Sequence, residues 1–86
     1  MAVQSETIIE TIEAKLRSNP ASNVFARLAD MYRKSGDVQK AIEVCTQGIE
    51  RHPTSVTGRI ILGRCYLEQQ NQQEALTAFS SAIQYD

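Results

Sequence analysis

The chain has 86 residues, 42% of them hydrophobic and 22% charged, with a formal net charge of -1. That balance excludes a disordered polyelectrolyte and leaves no global electrostatic case for binding nucleic acid. His52 is the only histidine, and Cys45 and Cys65 are the only cysteines, so the roughly four ligands of a structural zinc site are missing.

The N-terminal MAVQSETIIE has neither the basic start nor the apolar run of a secretory signal. No stretch approaches the ~18 apolar residues needed to cross a bilayer. A cytoplasmic location without membrane contact is therefore expected. Ile8, Ile9, Ile12 and Leu16 fall at helical spacing, with Glu6, Glu10 and Glu13 largely on other faces, which predicts a helix over 5–18. Ser5 can cap it, Glu6 favours its positive end, and Asn19-Pro20 ends it.

A second helix is predicted over about 22–35, with Phe25, Leu28, Ala29 and Tyr32 in one stripe and Gly36 as its left-handed stop. Asp37 caps a third, striped by Val38, Ala41, Ile42, Cys45 and Ile49 and closed by His52-Pro53. The fourth spans about 55–68, with Leu62, Gly63 and Tyr66. Asn71 caps the fifth, where Glu74 makes a capping-box-like pair. Its stripe is Ala75, Leu76, Phe79, Ala82 and Ile83. Almost nothing reads as strand.

A shift of thirty-four residues sets Leu28 on Leu62, Ala29 on Gly63, Tyr32 on Tyr66, Ala41 on Ala75, Gly48 on Ala82 and Ile49 on Ile83. Most other pairs differ, so the matches concentrate where packing needs them. Gly48 inside a helix costs about 1 kcal/mol relative to alanine, which predicts a site with no room for a side chain. On these residues the chain resembles the tetratricopeptide repeats, helix-turn-helix units of about 34 residues. One copy covers 22–55 and carries Phe25, Leu28-Ala29, Tyr32, Gly36, Ala41, Gly48 and Pro53; the other covers 56–86. In the second, Arg59 replaces a large apolar residue and Gln70 replaces the turn glycine, so Gln70 or Asn71 must accept the unusual backbone.

The resemblance implies an all-α, right-handed superhelical solenoid of five helices: a capping helix over 5–18 and two hairpins in one domain. Such stacks usually need a polar last helix, and this one ends on Leu76, Phe79 and Ile83. Either the chain continues natively or something else covers that face. A second copy of the chain, paired about a twofold axis, is the simplest occupant.

No nucleophile motif, zinc-protease motif or phosphate loop is present, so no enzymatic activity and no cofactor are expected. His52 is expected to face solvent in a turn, and Glu10 and Glu13 to form a solvated face. Cys45 and Cys65 read as two buried thiols in a reducing compartment, without a redox role. The resemblance points instead to a protein-binding groove lined by the first helix of each repeat. Its candidate residues are Asn23, Ala26, Arg27, Asp30, Arg33 and Lys34, then Thr57, Ile60, Arg64 and Leu67. Ile60 and Leu67 read equally well as docking residues or as packing against a neighbouring repeat. On the two first helices Arg27, Arg33, Lys34, Arg59 and Arg64 face only Asp30 and Glu68, so an acidic or mixed acidic-apolar peptide is the expected partner.

Overall fold

The computed structural model describes residues 9–10 and 24–85. Among them are four helices and no strand: α1 (Phe25–Lys34), α2 (Val38–Arg51), α3 (Val56–Glu68) and α4 (Gln72–Tyr85). Ile9 and Glu10 are helical and Glu10 is exposed. The rest of the expected capping helix, with the fifth-helix count that depends on it, lies outside the described residues.

The helix ends follow from local hydrogen bonding. At the end of α1, the Gly36 N–H donates to Arg33 O at 3.1 Å and the Asp37 N–H to Tyr32 O at 2.9 Å. This two-bond lock is a Schellman motif, and Gly36 takes the positive φ it requires, 97°. The end of α3 repeats it, Gln70 N–H to Leu67 O at 2.9 Å and Asn71 N–H to Tyr66 O at 2.8 Å. Here Gln70 occupies the left-handed region at φ 60° without being glycine.

Asp37 and Asn71 each close one helix and open the next. The Lys40 N–H donates to Asp37 Oδ1 at 3.2 Å, and the Glu74 N–H to Asn71 Oδ1 at 3.4 Å. The expected capping box at Asn71 is only half made, because the Asn71 N–H is already committed to Tyr66 O. Ser55 caps α3 from a buried position, its Oγ accepting from the Gly58 N–H at 3.0 Å.

Helices α1 and α2 form one hairpin and α3 and α4 another; α3 also packs on α1 and α2, whereas α4 meets only α3 among the described helices. Ala29, Ala41, Cys45, Ile61 and Cys65 form the joint core, with Tyr32, Val38, Ile42, Val44 and Leu62 against it. The small residues let helices approach. A Cβ on Gly48 would run into the Phe25 ring, and one on Gly58 would reach the same ring and Ser55 Oγ. In the second hairpin the sizes change places: Phe79 lies against Gly63, where the first hairpin has Cys45 and Ala29.

His52 departs from expectation. It is half-buried rather than solvent-facing, its ring stacked on Phe25 at 6.0 Å between centroids and 14° between planes. Its buried Nε2 makes no hydrogen bond among the described residues.

Candidate functional site

The surface of interest is built by α1 and α3, the first helices of the two hairpins, which touch each other. Arg33 joins them. Its Nε and Nη2 donate to Asp30 Oδ1 at 2.9 and 2.8 Å, one turn back on the same helix. Its Nη1 donates across to Glu68 Oε1 on α3 at 2.7 Å. Lys34 completes the cluster, 3.2 Å from Asp30 Oδ2.

Burial alone would raise the Asp30 carboxyl, but the hydrogen bonds from Arg33 and Lys34 outweigh it and hold it below its ordinary range. The bond from Arg33 to Asp30 holds the guanidinium above its own ordinary value, and Glu68 adds to this. Only 14% of the Arg33 side chain is exposed, against 69% of Lys34 and 40% of Glu68, so Arg33 is the covered member of the network. The five cations counted on these helices are thus not equivalent. Arg33 and Lys34 are engaged by carboxylates. The Arg59 guanidinium lies over the Tyr85 ring, 4.7 Å from its centroid, and donates to Ser55 O at 3.3 Å. Arg27 and Arg64 are exposed and form no ion pair among the described residues.

The other expected groove residues divide. Thr57 and Leu67 are exposed, Leu67 at 48%. Asn23 lies outside the described residues. Ala26 is corrected from groove to core, being only 2% exposed. The reason is the width of the buried face of α1. Phe25, Ala26, Leu28 and Ala29 together cover an arc of roughly 160° at ~100° per residue, wider than a single stripe.

Ile60 is half-buried and belongs to a different feature. With Val56, Phe79, Ala82 and Ile83 it lines an open, largely apolar cavity of about 370 Å³ between α3 and α4. Beside it Leu76 and Ile83 are 62% and 74% exposed, while Phe79 is half-buried against Gly63.

Two pairings were missed by reading the sequence. The Arg33–Glu68 bridge had a signal, since a shift of thirty-four sets Lys34 on Glu68 and so puts opposite charges on successive first helices. The placing of Cys45 and Cys65 in one core cluster had none, because the repeat offset does not relate them. Among the described residues no group of three or more His, Cys, Asp and Glu could hold a metal ion, and no helix is long and apolar enough to cross a membrane.

Comparison with known proteins agrees with this architecture. The family model for anaphase-promoting complex, cyclosome, subunit 3 matches residues 6–82. The human antiviral innate immune response effector IFIT1 is 34% identical over 74 residues, a match covering 86% of this chain and 15% of that protein. Two solved structures of MamA superpose closely. One has a TM-score of 0.87 and 20% identity, covering 95% of this chain and 48% of its own. The other, MamA MSR-1 C2, has a TM-score of 0.86 and 20% identity, covering 96% and 48%. The chain thus spans about half the length of these solved relatives and a much smaller part of the curated one, and the MamA likeness shows the fold alone.

Proposed function

The chain belongs to the family described as anaphase-promoting complex, cyclosome, subunit 3, a tetratricopeptide-repeat family, and on that footing we propose that it is a protein-binding module whose partner peptide or helix lies along the α1–α3 groove. The observation that carries this reading is the Arg33 bridge. It joins Asp30 on α1 to Glu68 on α3 and so ties together two first helices on which Arg27, Arg64, Thr57 and Leu67 are exposed. Preorganised polar and apolar groups of this kind favour binding because little is left to order.

The partner is acidic or mixed acidic-apolar, with its carboxylates towards Arg27 and Arg64 and its apolar side chains towards Leu67. The module forms part of a right-handed stack and serves in the cytoplasm, where unpaired thiols persist. A peptide-array screen tests the chemistry. Binders should be enriched in Asp and Glu, weaken as salt rises, and weaken further on Arg64→Glu at unchanged melting temperature. Absence of acidic enrichment would remove the acidic preference, and binding indifferent to Arg64→Glu would move the site off the groove.

The exposure of Leu76 and Ile83 beside an open apolar cavity favours a second reading, docking of α4 on a second copy of the chain. A contiguous apolar patch is seldom left open, and a twofold pairing lets one patch serve both partners. Sedimentation across a concentration series should then show a dimer that Leu76→Glu dissociates. A strict monomer at high concentration sinks this reading and leaves the groove reading untouched.

A further inference from the structure

The repeat offset makes one hairpin a template for the other. In the first, Ile42 and Cys45 on α2 pack in or against the joint core with Ile61 and Cys65 of α3, so a helix from outside the hairpin covers them. A shift of thirty-four sets Ile42 on Leu76, Cys45 on Phe79, Ile49 on Ile83 and Ala26 on Ile60. At each place the second-hairpin residue is the more open. Cys45 and Ala26 are buried where Phe79 and Ile60 are half-buried. Ile42 and Ile49 are half-buried where Leu76 and Ile83 are 62% and 74% exposed. The open cavity at Ile60, Phe79 and Ile83 lies among these same residues, and α4 meets only α3 among the described helices.

Charge singles out the same face. α4 carries one charged residue, Glu74, where its counterpart α2 carries Lys40, Glu43, Glu50 and Arg51. Depletion of charge beside exposed apolar side chains is the composition of an interface core. On α3, Val56, Ile60 and Leu67 fall within an arc of roughly 40° at ~100° per residue, a stripe about 16 Å long. Arg64 stands at its edge, one turn beyond Ile60, exposed and without an ion pair among the described residues.

We propose that the α3–α4 hairpin is a seat for an amphipathic helix of about three turns supplied by a partner protein, apolar on the side turned into the seat and acidic along the edge that meets Arg64. It docks as α3 docks on the first hairpin. Leu67 stands where the first hairpin has Arg33, the residue that binds Glu68 of α3. The occupant therefore has an apolar residue where α3 has Glu68, and its carboxylate belongs opposite Arg64 instead. A second copy of the chain is the poorer occupant. Its Glu74 lies roughly 160–180° around α4 from Leu76 and Ile83, so turning that stripe into the seat points the one carboxylate of α4 away from Arg64. The seat does not depend on peptide binding in the α1–α3 groove.

The probe is a synthetic helical peptide of about three to four turns, with leucines along one face and glutamates on one flank, followed by fluorescence anisotropy against the whole chain. A matched peptide with lysines on that flank is the control. The glutamate form should bind roughly tenfold more tightly than the lysine form at low salt. Leu76→Glu and Ile83→Glu should each abolish binding at an unchanged melting temperature, since both side chains are exposed. Arg64→Glu should reverse the preference between the two peptides. Arg27→Glu, on α1, should leave it unchanged, which separates the seat from the groove. Equal binding of the two peptides, binding indifferent to Leu76→Glu, or a dimer of the chain that the peptide cannot dissociate would each overturn the proposal.

Discussion

Phe25 decides the chemistry of several residues around it. Its ring is 1% exposed and occupies the space beside Gly48 and Gly58 while stacking on His52. By helix propensity alone, Gly48→Ala should stabilise α2 by about 1 kcal/mol. The ring makes the opposite sign the expectation. A new Cβ there meets the Phe25 ring near its root, and that ring is itself buried. Gly48→Ala should therefore destabilise, and Gly48→Leu should cost about 1–3 kcal/mol. Urea denaturation of the two variants at unchanged slope checks this, and a gain in stability from Gly48→Ala would refute the packing argument. The close contact at Gly48 was legible from the repeat offset. Its cause was not, since no spacing rule brings Phe25 to a glycine twenty-three residues away.

At the scale of the element, the two first helices end in the same hydrogen-bond lock, but only α1 has glycine at the left-handed position. Gln70 adopts φ 60° because the bonds to Leu67 O and Tyr66 O leave the chain no other exit from α3. A left-handed L-residue costs roughly 1–2 kcal/mol, which glycine avoids while losing more freedom on folding. Gln70→Gly should therefore stabilise by about 0.5–1 kcal/mol net, read as a rise in the thermal midpoint. Gly36→Ala, the converse change at φ 97°, should lower it. Element boundaries were readable because caps are local: Asp37, Ser55 and Asn71 each accept a backbone N–H within three residues. The half-made box at Asn71 was not, because its backbone N–H had a competing partner in the preceding helix.

At the scale of the whole molecule, the two hairpins are held together by the joint core and by the Arg33 bridge above it. The Asp30 carboxyl, ordinarily near 3.8, is lowered in the folded state. A lowered carboxyl binds fewer protons folded than unfolded, so its contribution is present above pH about 4 and is lost as pH falls through the folded value. Arg33, shifted upward, stays charged throughout that range. Stability measured by urea midpoint should hold from neutral pH down to about 5 and fall below about 4. Asp30→Asn should be less stable at neutral pH and show a shallower acid limb. An acid limb of identical slope in both proteins would mean that other carboxylates, not this network, carry the acid sensitivity.

The sequence by itself determined the helices, their stops and the repeat that relates them. Each rests on interactions within a few residues, or on small and large side chains recurring at one offset, as at Ala29 and Gly63 or Ala41 and Ala75. It also led to the expectation of an uncovered last face at Leu76, Phe79 and Ile83, of which Leu76 and Ile83 are exposed and Phe79 is half-buried. Tertiary structure alone decided which side of α1 is surface. Ala26 went to the core because helices packed on more than one side bury a wider arc than a stripe predicts. It decided that Arg33 and Lys34 are spent on Asp30 and Glu68, and that Ile60 faces an open cavity with Phe79 rather than the groove. And it decided that Cys45 and Cys65 share one core cluster. Periodicity fixes the face on which a side chain lies, but the crossing of two helices fixes what it touches, and that crossing depends on the volumes of residues far apart in the chain.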